Sequence, residues 1–156
     1  MRELAMFVLG AIAVLTILVL GWASKLYLKR KQLASVKLQD NNDRARVLTQ
    51  AVTEAASRMK LSPADIILIL GFSHSEASGL LKGTFFIPEN SKAWELSSYF
   101  VRLYSSLVRI IGEDDSLIES WVKSPNSAFN QQIPLDYIKS IAGLIHACEY
   151  VDAKNI

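Results

Sequence analysis

The side chains able to do acid–base, nucleophilic or metal chemistry are few in this 156-residue chain, and their spacing argues against catalysis. Cys148 is the only cysteine, which excludes an intrachain disulfide and a thiolate metal cluster and fits a reducing compartment. His146 and Cys148 lie two apart, on different faces of any helix, so they cannot share a site. His146 has no ligand-spaced partner and reads as a solvated or capping histidine. Cys148 reads as a core residue. The Asp114–Asp115 pair stands where a helix begins, a position that favours negative charge for structural reasons alone. Trp94 and Trp121 read as core anchors. No phosphate loop, nucleophile elbow or metal-ligand spacing occurs. The expectation is a non-enzyme with no metal and no cofactor.

The elements that carry these residues all read as helices. Val47, Leu48, Ala51, Val52, Ala55 and Met59 form an apolar stripe at helical spacing. The polar run Gln39–Asp43 is expected to end the preceding helix, with Asp43 capping the next. Ser62 followed by Pro63 is a start signal for a short helix ending at Gly71. Ser73-x-x-Glu76 is a capping box opening another, closed by Gly83. A long helix is expected from about Lys92 to Ile111, with Glu95, Ser98, Arg102, Ser105 and Arg109 on its polar face and Gly112 after it. A short helix follows near Asp114–Lys123, then the loop SPNSAFNQQI. The last helix is expected to start at Pro134 and to bury Leu135, Ile138, Ile141, Ile145 and Cys148. Gly143 inside that helix costs about 1 kcal/mol against alanine, so another backbone should approach it closely.

Hydrophobic residues make up 51% of the chain and concentrate at the front. Leu4–Ala23 holds 20 residues without a charge, about 30 Å as a helix, which is the thickness of a bilayer's hydrocarbon core. Lys25, Lys29, Arg30, Lys31 and Lys37 follow, with no acidic residue before Asp40. This asymmetry predicts a single-pass inner-membrane helix with the rest of the chain in the cytoplasm. The same lysines could meet anionic lipid heads, and Trp22 and Tyr27 stand where interfacial aromatics are expected. A cleavable signal peptide, a buried core helix and a misassigned start are the competing readings. Beyond the anchor the balance reverses: residues 39–156 carry 11 Lys and Arg against 14 Asp and Glu, a net charge of −3. The formal +2 of the whole chain is therefore a juxtamembrane effect and no sign of a nucleic-acid surface.

The run from Leu61 to Gly83 has the lengths and turn of a helix-turn-helix, whose second helix enters the major groove of DNA. The residues that this helix offers for DNA contact are His74, Ser75, Ser78 and Lys82. None is the Arg, Asn or Gln that bonds base edges bidentately, and Glu76 opposes phosphate.

The C-terminal stretch resembles the Xre antitoxins of RES–Xre toxin–antitoxin systems and, more broadly, the MbcA/ParS/Xre toxin-binding domain. The residues that carry the resemblance are WVKSPNSAF (121–129), PLDYIKS (134–140), Gly143 and EYVDA (149–153). Upstream, the helix ELSSYFVRLYSSLVRIIGED (95–114) and the ILGFS turn (69–73) are similar to the family's, so coverage is about 47–153. The resemblance implies a bacterial protein that binds a RES-type toxin, often an NAD-consuming enzyme, and blocks its active site with the C-terminal region. It also implies a homodimer that represses its own operon through DNA. Carried over by position, the toxin-facing candidates are Trp121, Pro125, Asn126, Phe129, Pro134, Leu135, Gly143 and the tail from Tyr150. Packing within the chain explains the same residues equally well. Three departures stand out. Asn130 and Gln131 replace a usual Gly-Gly pair, the second short helix lacks basic residues, and a membrane anchor is unusual.

The expected architecture is thus all-α. Residues 1–38 form a transmembrane helix and basic juxtamembrane segment, 39–90 a helix-turn-helix-like region, and 91–156 a helical toxin-binding region. The leading function is a membrane-tethered antitoxin-like protein. The alternatives are a membrane-bound transcription regulator and a scaffold or positioning adaptor that keeps the fold.

Overall fold

The computed structural model describes the backbone of residues 2–154 and the side chains of residues 21–154. The helices are α1 (Arg2–Arg58), α2 (Pro63–Leu70), α3 (His74–Leu81), α4 (Lys92–Ile111), α5 (Asp115–Lys123), α6 (Pro134–Tyr137) and α7 (Ile141–Ala153), with a 3₁₀ turn at Ser127–Phe129. Among the described residues there is no strand, only a lone antiparallel bridge between Asn126 and Gln132. The chain divides into two units, residues 1–42 and 43–156.

The first unit is helix α1 up to Asn42. Lys25, Lys29, Arg30 and Lys31 are all exposed on it. The expected span Leu4–Ala23 lies, except for its last three residues, outside the residues whose side chains are described. Among the described residues no single helix is long and apolar enough to cross a membrane. The expected break at Gln39–Asp43 does not form, for these residues lie inside α1 and Asp43 pairs with Arg46 instead of capping. No glycine or proline stands between Gly21 and Pro63. Polar Asn and Asp cost only about 0.7 kcal/mol each in a helix, too little to break one flanked by good formers.

The second unit is built around one core, to which every helix from the end of α1 onward contributes. Val52, Ala55 and Met59 of α1, Ile66, Ile69 and Leu70 of α2, and Ala77 and Leu80 of α3 meet Phe100, Leu103 and Leu107 of α4. The most extensive pairing is α4 on α7, where Leu144, Ala147, Cys148 and Val151 close the core. Each such large side chain removed from water stabilises the fold by about 1.5–3 kcal/mol. Val47, expected in the stripe, is 63% exposed, and buried Thr49 takes the inward position. The Thr49 hydroxyl donates to the Ala45 carbonyl at 2.7 Å and accepts from the Ile87 amide at 3.0 Å, so the polar group is satisfied in the core.

Caps define the short helices. The Ser62 hydroxyl accepts from the Asp65 amide in a full capping box, and Gly71 ends α2 in the left-handed conformation. Ser73 and Glu76 form the expected box at the start of α3. The bond from the Ser73 amide holds the Glu76 carboxyl below the usual range, helped by the Ser73 hydroxyl. Helices α2 and α3 bend 119° from each other across Gly71–Ser73, within the range of a helix-turn-helix.

The last helix departs from expectation. It is two, α6 and α7, separated at Ile138–Ser140. The Ser140 hydroxyl caps α7 by accepting from the Gly143 amide at 3.0 Å. Gly143 permits the break, for a Cβ there would lie 1.9 Å from the Tyr137 carbonyl oxygen. The backbone that approaches Gly143 is therefore the chain's own. Because the axis turns there, Ile141 is 46% exposed instead of buried.

Candidate functional site

Helices α5, α6 and α7 and the loop between Ser124 and Ile133 bring five rings together around Phe129. Phe129 is buried and stacks on Tyr137 of α6, centroids 4.9 Å apart and planes at 24°. Trp121 of α5 meets it edge-on at 6.1 Å, and Tyr150 and His146 of α7 do so at 5.3 and 6.0 Å. These are the offset and T-shaped geometries that add about 0.5–1.5 kcal/mol per aromatic pair beyond burial. The Tyr137 hydroxyl lies 2.8 Å from His146 Nδ1, and Lys154 Nζ stands 5.6 Å from the Tyr150 ring centre. Trp121, Tyr137 and Tyr150 are half-buried and His146 is exposed, so the cluster is only partly covered by the rest of the chain.

The loop that carries Phe129 is closed by main-chain bonds. The Asn126 amide donates to the Gln132 carbonyl, the Gln131 amide donates to the Asn126 carbonyl, both at 3.0 Å, and the Asn126 side chain accepts from the Ala128 amide. Asn130 and Gln131 both sit in the left-handed region, at φ 55° and 64°. These are the two positions where the resemblance called for glycine, and that conformation costs a side-chain-bearing residue about 1–2 kcal/mol. The main-chain bonds hold the loop in this conformation despite that cost.

Behind the face, α4 and α7 are joined by a polar cluster. The buried Ser106 hydroxyl donates to Asp152, which also faces the Arg102 guanidinium, and Arg109 donates to Ser106 at 2.8 Å. The Ser106 hydrogen bond, with Arg102, holds the Asp152 carboxyl below the usual range despite partial burial. Burial, aided by nearby Asp152, pushes the Cys148 thiol up, so it is an inert core group. On the other side Lys139 bridges Asp65 of α2 at 3.0 Å and Asp136 at 2.8 Å. Burial alone would raise the Asp65 carboxyl; bonds from Ser62 and Lys139 outweigh it and leave the group below its ordinary value.

The eight residues singled out on the C-terminal stretch sort by exposure. Pro125 is exposed, and Trp121, Asn126, Leu135 and Tyr150 are half-buried. Phe129, Pro134 and Gly143 are buried, so they shape the face without offering atoms to a partner. Residues 155 and 156 of the tail lie outside the described residues. Tyr137 and His146 were not singled out for the face. They are nine apart and meet only because the chain breaks between α6 and α7; the one sequence signal was Ser140, a capping residue three before Gly143. Of the helix-turn-helix candidates, His74, Ser75 and Lys82 are exposed and Ser78 is half-buried. Glu76 is engaged as a cap there. Among the described residues no group of three or more His, Cys, Asp or Glu could hold a metal ion.

No curated protein matches the chain. Residues 106–154, which run from within α4 through α7 and contain all five rings, match the family model described as the antitoxin Xre/MbcA/ParS C-terminal toxin-binding domain. The segment that builds the aromatic face is therefore similar to the toxin-binding part of Xre/MbcA/ParS antitoxins, which supports an antitoxin-like function with a toxin as partner.

Proposed function

We propose that this protein is a membrane-anchored, non-catalytic antitoxin that captures a RES-type toxin on the face formed by Trp121, Pro125, Tyr137, His146 and Tyr150. The observation that carries the reading is the coincidence of this half-exposed aromatic cluster with the matched toxin-binding segment. Rigid aromatic groups with a polar tip are the residue types that dominate binding energy at protein interfaces. The uncharged run Leu4–Ala23 and the cations Lys25, Lys29, Arg30 and Lys31 support a single-pass anchor with the second unit in the cytoplasm. The active unit is read as a homodimer.

The test is affinity capture of the tagged full-length chain from detergent-solubilised cells that carry it. A small protein in stoichiometric amount, lost with His146→Ala or Tyr150→Ala but kept with Leu68→Ser, supports the reading. Equal capture by all the variants contradicts it. Alkaline carbonate extraction of the membranes checks the anchor separately; release of the chain into the supernatant would refute it.

The 119° helix pair supports a second reading, a DNA-binding regulator acting through His74, Ser75, Ser78 and Lys82. That reading requires operator binding that weakens steeply with salt. No binding at low salt by the full chain removes it.

A further inference from the structure

From the end of the expected span onward, α1 carries seven large exposed apolar side chains: Trp22, the last large one within the span, then Leu26, Tyr27, Leu28, Leu33, Val36 and Leu38. Four of them, Trp22, Leu26, Leu33 and Val36, recur at spacings of four, seven and three, the a/d pattern of a coiled coil with Lys29 in the remaining position. At 100° per residue these five fall within one 80° stripe of the helix. They are 69%, 41%, 61% and 66% exposed for the apolar four. An apolar seam at this spacing is stable only when something covers it.

Lipid cannot cover all of it. Taking the anchored reading proposed above, Leu33 and Val36 lie 10 and 13 residues beyond Ala23. On an unbroken helix that is about 15–20 Å, whereas the headgroup layer on each side of the hydrocarbon core is about 5–8 Å thick. A second copy of this chain is a poor cover too. Lys25 and Arg30 flank the seam at the two positions where coiled-coil partners exchange charges, Lys29 sits within it, and no acidic residue occurs between Glu3 and Asp40. Two such helices would place like charges opposite each other along the seam, which is destabilising.

We propose that the part of this seam beyond the headgroup layer, Lys29, Leu33 and Val36, docks an acidic amphipathic helix of another protein. That helix would carry apolar residues at a and d, glutamates at e and g, and a carboxylate opposite Lys29. The surface belongs to the first unit and the aromatic face to the second, and it gives the juxtamembrane segment a partner of its own. The inference uses the anchored reading only to exclude lipid as the cover; the seam itself is independent of toxin capture.

The test uses the full chain in nanodiscs of zwitterionic lipid and a synthetic 21-residue peptide with leucine at a and d and glutamate at e and g. A polarity-sensitive fluorophore on Leu33→Cys reports the seam, with Cys148, buried, left in place. The expected result is a blue shift on adding the acidic peptide and none with the lysine counterpart. Lys29→Glu should weaken the acidic peptide at least tenfold, and a peptide with lysine at the facing position should recover most of the loss. No shift with the acidic peptide, or equal response to both peptides, overturns the proposal. So does a fluorophore already shielded before peptide is added, whether in zwitterionic or in phosphatidylglycerol nanodiscs, because lipid or a second copy would then cover the seam. Carbonate extraction and capture by the aromatic face are read separately, so their failure is distinguishable from failure here.

Discussion

Gly143→Ala sets two effects against each other, and the structure decides which wins. Inside an ordinary helix, glycine to alanine stabilises by about 1 kcal/mol, through lower chain entropy in the unfolded state and better helix propensity. At Gly143 the new Cβ would lie 1.9 Å from the Tyr137 carbonyl oxygen and 2.8 Å from the Tyr137 carbonyl carbon and the Ser140 Oγ. Ordinary van der Waals contact begins near 3.4 Å, so α6 and α7 must part by more than 1 Å. The obstacle is main chain and cannot rotate away. Overpacking of this kind costs about 1–3 kcal/mol or more, and the separation also strains the Tyr137–His146 bond and the Phe129–Tyr137 stack. The net expectation is a loss of about 2 kcal/mol, a roughly thirtyfold shift in the folding equilibrium. Urea unfolding of the full chain in detergent, followed by circular dichroism, measures it as a lower midpoint at unchanged slope. An unchanged or raised midpoint would refute the reasoning, since propensity alone predicts a rise.

Three further perturbations follow from single observations. The Ser97 hydroxyl is fully buried with no hydrogen-bond partner among the described residues; an unsatisfied buried polar group costs about 1–3 kcal/mol, so Ser97→Ala should raise the urea midpoint by the equivalent of about 1 kcal/mol. Gln131→Gly relieves a left-handed residue and should stabilise by up to about 1 kcal/mol after the added chain entropy of glycine, with capture by the aromatic face unchanged. Asp65 sits below its ordinary value in the folded chain, so the unfolded state binds more protons and stability falls as pH drops through and below about 4. Asp65→Asn should lower stability at pH 7 and flatten that acid loss, as measured by urea midpoints from pH 7 to pH 3.

Local chemistry made much of the fold legible. Ser62–Pro63, Ser73-x-x-Glu76 and Gly71 act where their side chains or φ angles demand, because caps depend on residues within one turn. The segment from Gln39 to Asp43 misled because weak helix formers were read as a stop, although nothing in the run breaks a helix. The α6–α7 break was hidden for the opposite reason. The close approach of the Tyr137 carbonyl to Gly143 shows only once the chain has turned, and the apolar period runs straight through the break. The same break explains why His146 looked partnerless: its hydrogen-bond partner is brought close only by the turn. The site was legible in its segment and in part of its composition. It was not legible in the division between buried shapers such as Phe129 and the groups left at the surface, because burial depends on packing between elements.

The most direct test of the central claim is site-specific photo-crosslinking in cells that carry the chain. A photoreactive residue is placed at Tyr150, with the same residue at exposed Leu68 as control. The account predicts a single crosslinked small protein from Tyr150 and not from Leu68, whose unopposed expression halts growth. No adduct from Tyr150, or the same adduct from both positions, would contradict it.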